Sequence, residues 1–214
     1  MESTVCTVPA GTRLIETFGY RPGQGIARLN LHLERLARSA RALGFMFDPA
    51  KVAEAIDALS GEVALRCRLT LGADGDVEIT TAALPALADQ WTVRIASERL
   101  RSDDGLLRHK TTRREMYDRW RSALPDGVQE WLFLNERGEL CEGTITNVVL
   151  TMPDGVRLTP ALSSGCLPGV YRQSLLDAGV VQEAILTVDD LGSAKDIVLT
   201  NALRGEIHVN WGEL

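Results

Sequence analysis

The sequence predicts an α+β fold in two lobes, and three observations carry that expectation. Strand-like and helix-like stretches come in runs instead of the strict alternation that a doubly wound sheet needs. There is no GxGxxG stretch and no internal repeat, which removes a dinucleotide-binding fold and a solenoid. A Pro-bearing break from Leu84 to Gln90 divides the chain, so an N-terminal lobe of residues 1–88 and a C-terminal lobe of residues 89–214 are expected. With 214 residues, 45% of them hydrophobic, there is enough apolar material to bury a sizeable core.

The first lobe opens with a strand over Thr12 to Tyr20, rich in Thr, Ile and Phe, and a turn at Arg21-Pro22-Gly23-Gln24-Gly25. Leu33, Leu36, Ala37, Ala40 and Leu43 then recur at helical spacing, and Asp48 followed by Pro49 has the N-cap and first-position chemistry of a second helix. Alternation over Val63 to Leu71, a Gly72 to Gly75 turn and a strand at Val77 to Ala82 read as an antiparallel hairpin with one wet face. The second lobe starts with the strand Trp91 to Ala96. Further strands are expected at Glu130 to Asn135, Ile145 to Thr151 and Val156 to Thr159, then a helix from Val170 to Ala178 ended by Gly179, and final strands at Ile197 to Thr200 and Glu206 to Asn210.

Composition excludes several kinds of function. The net charge of -6 has its arginines interleaved with acids, so no cationic face for nucleic acid is expected. No apolar run approaches the roughly 20 residues that span a bilayer, and Met1 to Ala10 lacks the pattern of a secretory signal, so a soluble cytoplasmic protein is expected. Cys6, Cys67, Cys141 and Cys166 form no CxxC pair and read as reduced bystanders. His32, His109 and His208 are scattered as well, so no metal site is expected.

Five places have chemical potential. Lys110 stands in Arg108-His109-Lys110-Thr111-Thr112-Arg113-Arg114-Glu115, where Thr112 and Glu115 have the spacing of a capping box for a helix ending near Leu124. Its cationic neighbours and partial desolvation disfavour the ammonium form, as a Schiff-base lysine needs; the plain alternative is a surface lysine. Glu142 precedes a polar stretch that runs into Val148-Val149-Leu150. It is either a turn residue or a carboxylate that enters the core and keeps a pyridine nitrogen protonated. Leu167-Pro168-Gly169-Val170-Tyr171 leads into a helix whose first amides could bind a phosphate, or is an ordinary junction. Arg35 is a solvent-facing helix arginine or a clamp on that phosphate. Asn201 is a turn former or an amide donor to it.

In this order, Glu16-Thr17-Phe18, the His32 to Leu36 segment, Lys110, Glu142-Gly143-Thr144 with Asn147, Leu167-Pro168-Gly169-Val170 and Thr200-Asn201-Ala202 resemble the class IV (fold type IV) pyridoxal 5'-phosphate (PLP) enzymes. That family includes branched-chain and D-amino-acid transaminases and 4-amino-4-deoxychorismate lyase. The resemblance implies a small N-terminal α/β sandwich lobe and a C-terminal pseudo-barrel lobe carrying the Schiff-base lysine, with PLP in a cleft between them. It implies Lys110 as that lysine, Glu142 on the ring nitrogen, and Arg35, Val170, Tyr171 and Asn201 on the phosphate. Thr17 matches in position a threonine that the lyases place near the reactive lysine. His109-Lys110-Thr111-Thr112 and Asn201-Ala202-Leu203-Arg204-Gly205 are most similar to the lyase branch, which makes 4-aminobenzoate and pyruvate for folate biosynthesis. A transaminase of the branched-chain or D-amino-acid type, and an inactive PLP-fold binding protein, are the alternative readings. A homodimer acting on a small amino-bearing substrate is also implied.

Overall fold

A computed structural model describes residues 8–86 and 90–211, so Cys6 and the lobe boundary expected at residue 88 lie outside the described residues. By its contacts the chain forms two compact units. One holds Met1–Ala86 with His109–Arg113, and the other holds Leu87–Arg108 with Arg114–Leu214.

The first unit is an antiparallel sheet of four strands in the order β2-β1-β3-β4. The strands are β1 (Leu14–Arg21), β2 (Gly25–Ile26), β3 (Leu65–Leu71) and β4 (Val77–Ala83). Helix α1 (Leu29–Leu43) lies against β1 and α2 (Pro49–Asp57) against β4. Asp48 caps α2 as expected, its carboxylate accepting from the Ala50 amide at 2.9 Å with Pro49 in the first turn. Phe18, Cys67, Leu69 and Leu71 of the sheet are buried, as are Leu36, Ala40 and Leu43 of α1 and Val52 and Ile56 of α2.

The buried stripe of α1 differs from the apolar stripe read in the sequence. It runs through His32, Arg35, Leu36, Ser39, Ala40 and Leu43, so three of its members are polar. Arg35 is 5% exposed and does not face solvent. The sequence reading also carries Lys110 with the C-terminal lobe, whereas residues 109–113 cluster with the first unit. The reason is backbone pairing with the start of β1. The Ile15 amide donates to the Lys110 carbonyl at 2.8 Å, and Thr111 bridges Leu14.

The second unit is a mixed sheet of eight strands in the order β10-β9-β8-β11-β12-β5-β6-β7. These are β5 (Gln90–Leu100), β6 (Glu130–Asn135), β7 (Leu140–Gly143), β8 (Asn147–Thr151), β9 (Arg157–Pro160), β10 (Gln182–Ala184), β11 (Asp196–Asn201) and β12 (Gly205–Asn210). Parallel pairings join β5 to β6 and to β12, and β9 to β10. The two edges of this sheet curl toward each other. Leu140 on β7 donates its amide at 2.7 Å to Leu186, just beyond β10, and both side chains enter one core with Leu132, Leu150, Leu191 and Leu199. Helices α3 (Glu115–Ser122), α4 (Val170–Asp177) and α5 (Val188–Ser193) complete the unit.

The capping box expected at Thr112 and Glu115 does not form. The Thr112 amide donates to the Arg13 carbonyl at 2.9 Å, and its hydroxyl accepts from the Arg13 amide at 3.0 Å. That hydroxyl is therefore committed to the first unit's sheet, and α3 begins later with Arg114 as its uncapped N-cap.

Candidate active site

In the first unit a buried ion cluster ties α1 to β1. Glu16, 2% exposed, accepts at Oε1 from Arg35 Nε at 2.8 Å and at Oε2 from Arg35 Nη2 at 2.7 Å, the two-point geometry that a planar guanidinium favours. His32 Nδ1 meets Oε2 at 2.5 Å, and its ring stands edge-on to Phe18. Burial raises the pKa of the Glu16 carboxyl, but the Arg35 charge and the hydrogen bonds from His32 and Arg35 outweigh it and hold it at about 2. Thr17 follows on the same strand, half-buried and opposite Arg68 of β3. Lys110 is half-buried, and its neighbour His109 meets Ser39 of α1 at 3.0 Å. Thr17, Arg35 and Lys110 are thus all fixed around β1.

In the second unit Glu142 sits within β7, only 6% exposed, and is not a turn residue. Tyr117 on α3 donates its hydroxyl to Oε1 at 2.6 Å, and the Leu167 amide donates to Oε2 at 3.0 Å. A buried carboxylate needs such donors. Burial, then the charge and hydrogen bond of Glu142, push the Tyr117 phenol well above its ordinary pKa, so Tyr117 stays a proton donor.

Asn147 connects this carboxylate to α4. Its Nδ2 donates to the Leu167 carbonyl at 2.9 Å, and its Oδ1 lies so close to Gly169 that a Cβ added there would collide with it. Gly169 is the N-cap of α4, so Val170 and Tyr171 lie in its first turn, at the helix end that suits an anion. Asn147 also stands opposite Thr200 on β11. Next to Thr200, Asn201 donates to the Ile145 carbonyl at 3.4 Å and accepts at Oδ1 from the amides of Leu203 and Arg204 at 3.1 and 2.9 Å. It is a turn organiser in this respect, as the plainer reading had it, and the turn it builds reaches Gly205 beside the Tyr171 ring. The second unit therefore brings the end of β7 at Glu142, the start of α4 at Val170 and Tyr171, and the Asn201 turn together around Asn147.

Sequence reasoning missed Tyr117 and Glu130. Glu130 is fully buried, and neither residue lies in a motif. The available signal was on α3, where Arg114, Tyr117 and Arg121 share one helical face by spacing and all three reach residues 142–144. Arg114 Nη2 donates to the Thr144 carbonyl at 3.0 Å, and Arg121 Nη1 donates to Thr144 Oγ1 at 3.1 Å.

The family model described as Amino-transferase class IV matches residues 13–210. The aminodeoxychorismate lyase of Saccharomyces cerevisiae is 32% identical over an alignment of 133 residues that covers 54% of this chain and 35% of that protein. The match thus spans about a third of the yeast enzyme's length. Among solved structures, a Mesorhizobium loti protein provisionally named as an amino-acid aminotransferase is 46% identical with a TM-score of 0.89, covering 93% of this chain and 99% of that one. A hypothetical aminotransferase from Mycobacterium tuberculosis, in its PLP-bound form, is 20% identical with a TM-score of 0.81, covering 92% and 80% of the two chains. At that identity the likeness is one of fold.

Proposed function

The chain belongs to the class IV aminotransferases, a family of PLP enzymes, and on that premise we propose that it is a 4-amino-4-deoxychorismate lyase, releasing 4-aminobenzoate and pyruvate. The observation that carries the PLP reading is the buried Glu142 carboxylate, fixed by Tyr117 and Leu167. Two others fit a phosphorylated pyridine. The first-turn amides of α4 behind Gly169 suit an anion. The Thr200 hydroxyl, fully buried beside Asn201, has no hydrogen-bond partner among the described residues, an open donor of the kind a phosphate would satisfy.

The residues we propose to hold the cofactor are Lys110 at its aldehyde carbon, Glu142 at its ring nitrogen, and Arg35, Val170, Tyr171 and Asn201 at its phosphate. When bound, PLP supplies an electron sink for a substrate carbanion. Lys110 Nζ would take the α-proton of the substrate. Glu142 holds the proton at the ring nitrogen, and Thr17 is proposed to act beside Lys110. In the lyase the substrate then loses its enolpyruvyl substituent as pyruvate and its ring becomes aromatic.

The lyase reading is supported by the identity with the yeast lyase. The Mesorhizobium protein favours a second reading, an amino-acid transaminase. Both begin with the same proton transfer, so substrate assays separate them. Purified protein given PLP and 4-amino-4-deoxychorismate is expected to form 4-aminobenzoate and pyruvate. Fast exchange between an amino acid and a keto acid, with no 4-aminobenzoate, would replace the lyase by the transaminase. Borohydride should fix PLP to the wild type and not to Lys110→Ala, which is expected to lose nearly all turnover. A protein that stays colourless with added PLP would instead be a binding relic of the fold. The same reading expects a cytoplasmic homodimer, and sedimentation of the PLP-loaded protein checks the dimer.

A further inference from the structure

We infer that Glu130 is a positioning residue that aims Glu142 at the cofactor's ring nitrogen. The inference rests on the PLP reading. Glu130 ends up inside the turn that joins β7 to β8, which carry Glu142 and Asn147. Its Oε1 accepts from the Thr144 amide at 3.1 Å, from the Thr144 hydroxyl and from the Trp131 amide at 3.0 Å. Its Oε2 accepts from the Ile145 amide and the Thr146 hydroxyl, each at 3.2 Å. Arg121 stands 3.5 Å from Oε1 and is the cation that faces this acid.

The residue next to Glu142 is shaped around the same side chain. A Cβ on Gly143 would lie 3.0 Å from both Cγ and Cδ of Glu130 and would collide with the Thr146 hydroxyl. The Gly143 amide closes the turn by donating to the Thr146 carbonyl at 2.8 Å. Each of these groups is a donor to Glu130, and only an acceptor at both oxygens satisfies them. A glutamine would point its own N–H groups at a backbone amide in either orientation. The turn would have to move, and β7 would move with it at the residue after Glu142.

The test is a double-mutant cycle in PLP affinity, read by tryptophan fluorescence on apo-protein, together with the visible spectrum of the bound cofactor. E130Q is expected to weaken PLP binding about tenfold and to shift the visible band in the direction seen in E142A. In an E142A background the same substitution is expected to change affinity by less than about twofold, because the contact through which it acts is already gone. A purely scaffolding role predicts equal losses in both backgrounds and an unmoved band, and either result overturns the inference. If E130Q does not fold, T146V removes a single donor and should act in the same direction in the same cycle. Wild-type protein that takes up no PLP overturns the proposed function and this inference together. Wild-type binding matched by E130Q overturns this inference alone.

Discussion

Glu16 keeps its charge in the interior because Arg35 and His32 meet both of its oxygens, and that arrangement has two measurable consequences. Removing one partner of a buried pair leaves the other charged and unsolvated, which costs roughly 3–5 kcal/mol. Arg35→Ala should therefore lower the melting temperature by on the order of 10 °C for a chain of this length. A fall of less than about 2 °C in a thermal melt would contradict this ledger. The second consequence is pH dependence. The folded pKa of about 2 lies below the ordinary 4.5, so the unfolded chain binds the extra proton. The stabilisation is present above pH 4.5 and disappears as pH falls toward 2. Between pH 5 and pH 3 the stability advantage of wild type over Glu16→Gln should shrink by about 2 kcal/mol. Denaturant titrations at the two pH values measure it, and an advantage that grows as pH falls would reverse the sign of the assignment.

Helix α3 and its N-cap grip the end of β7, with Tyr117 on Glu142 and the two arginines of the same face on Thr144. Tyr117→Phe removes one of the donors to a buried carboxylate. The expected loss is about 1–3 kcal/mol in a denaturant titration, and a variant as stable as wild type would mean that Tyr117 only packs. At this scale the sequence was legible where a local signal agrees with the fold: Asp48-Pro49 for α2, Glu130 to Asn135 for β6 and Gly179 after α4. It was opaque where the deciding partner comes from elsewhere in the chain. Leu140 to Gly143 are all buried, so β7 shows no alternation and the sequence leaves Glu142 open between a turn residue and a core carboxylate. His32 and Arg35 do not look like core residues until Glu16 faces them. Thr112 has the right spacing for a cap but is held by Arg13. A genuine capping box forms instead at Thr187 and Asp190, before α5, with the same spacing. Among the site residues the linkage of Glu142, Val170, Tyr171 and Asn201 depends on Asn147, which motif order flags but whose contacts no spacing reveals.

For the whole molecule, the order of the strands matters more than their number. β5 pairs in parallel with β12 and β6, so strands far apart in sequence must assemble before the core of Leu132, Leu150 and Leu199 closes. A ligand that binds only the folded chain then adds to stability by mass action. At a free concentration one hundred times its dissociation constant it contributes about 2.7 kcal/mol, which at this length is a rise in melting temperature of roughly 5–11 °C. PLP should produce that rise in the wild type. Lys110→Ala, which keeps the residues proposed for the phosphate and the ring but lacks the amine, should show a smaller rise at the same PLP concentration. Inorganic phosphate should give a smaller shift than PLP in both, since it can occupy only the amides and side chains proposed for the phosphate. A calorimetric scan in which saturating PLP moves the wild-type transition no further than phosphate does would remove Lys110 and Glu142 from the cofactor site and leave an anion-binding protein in its place.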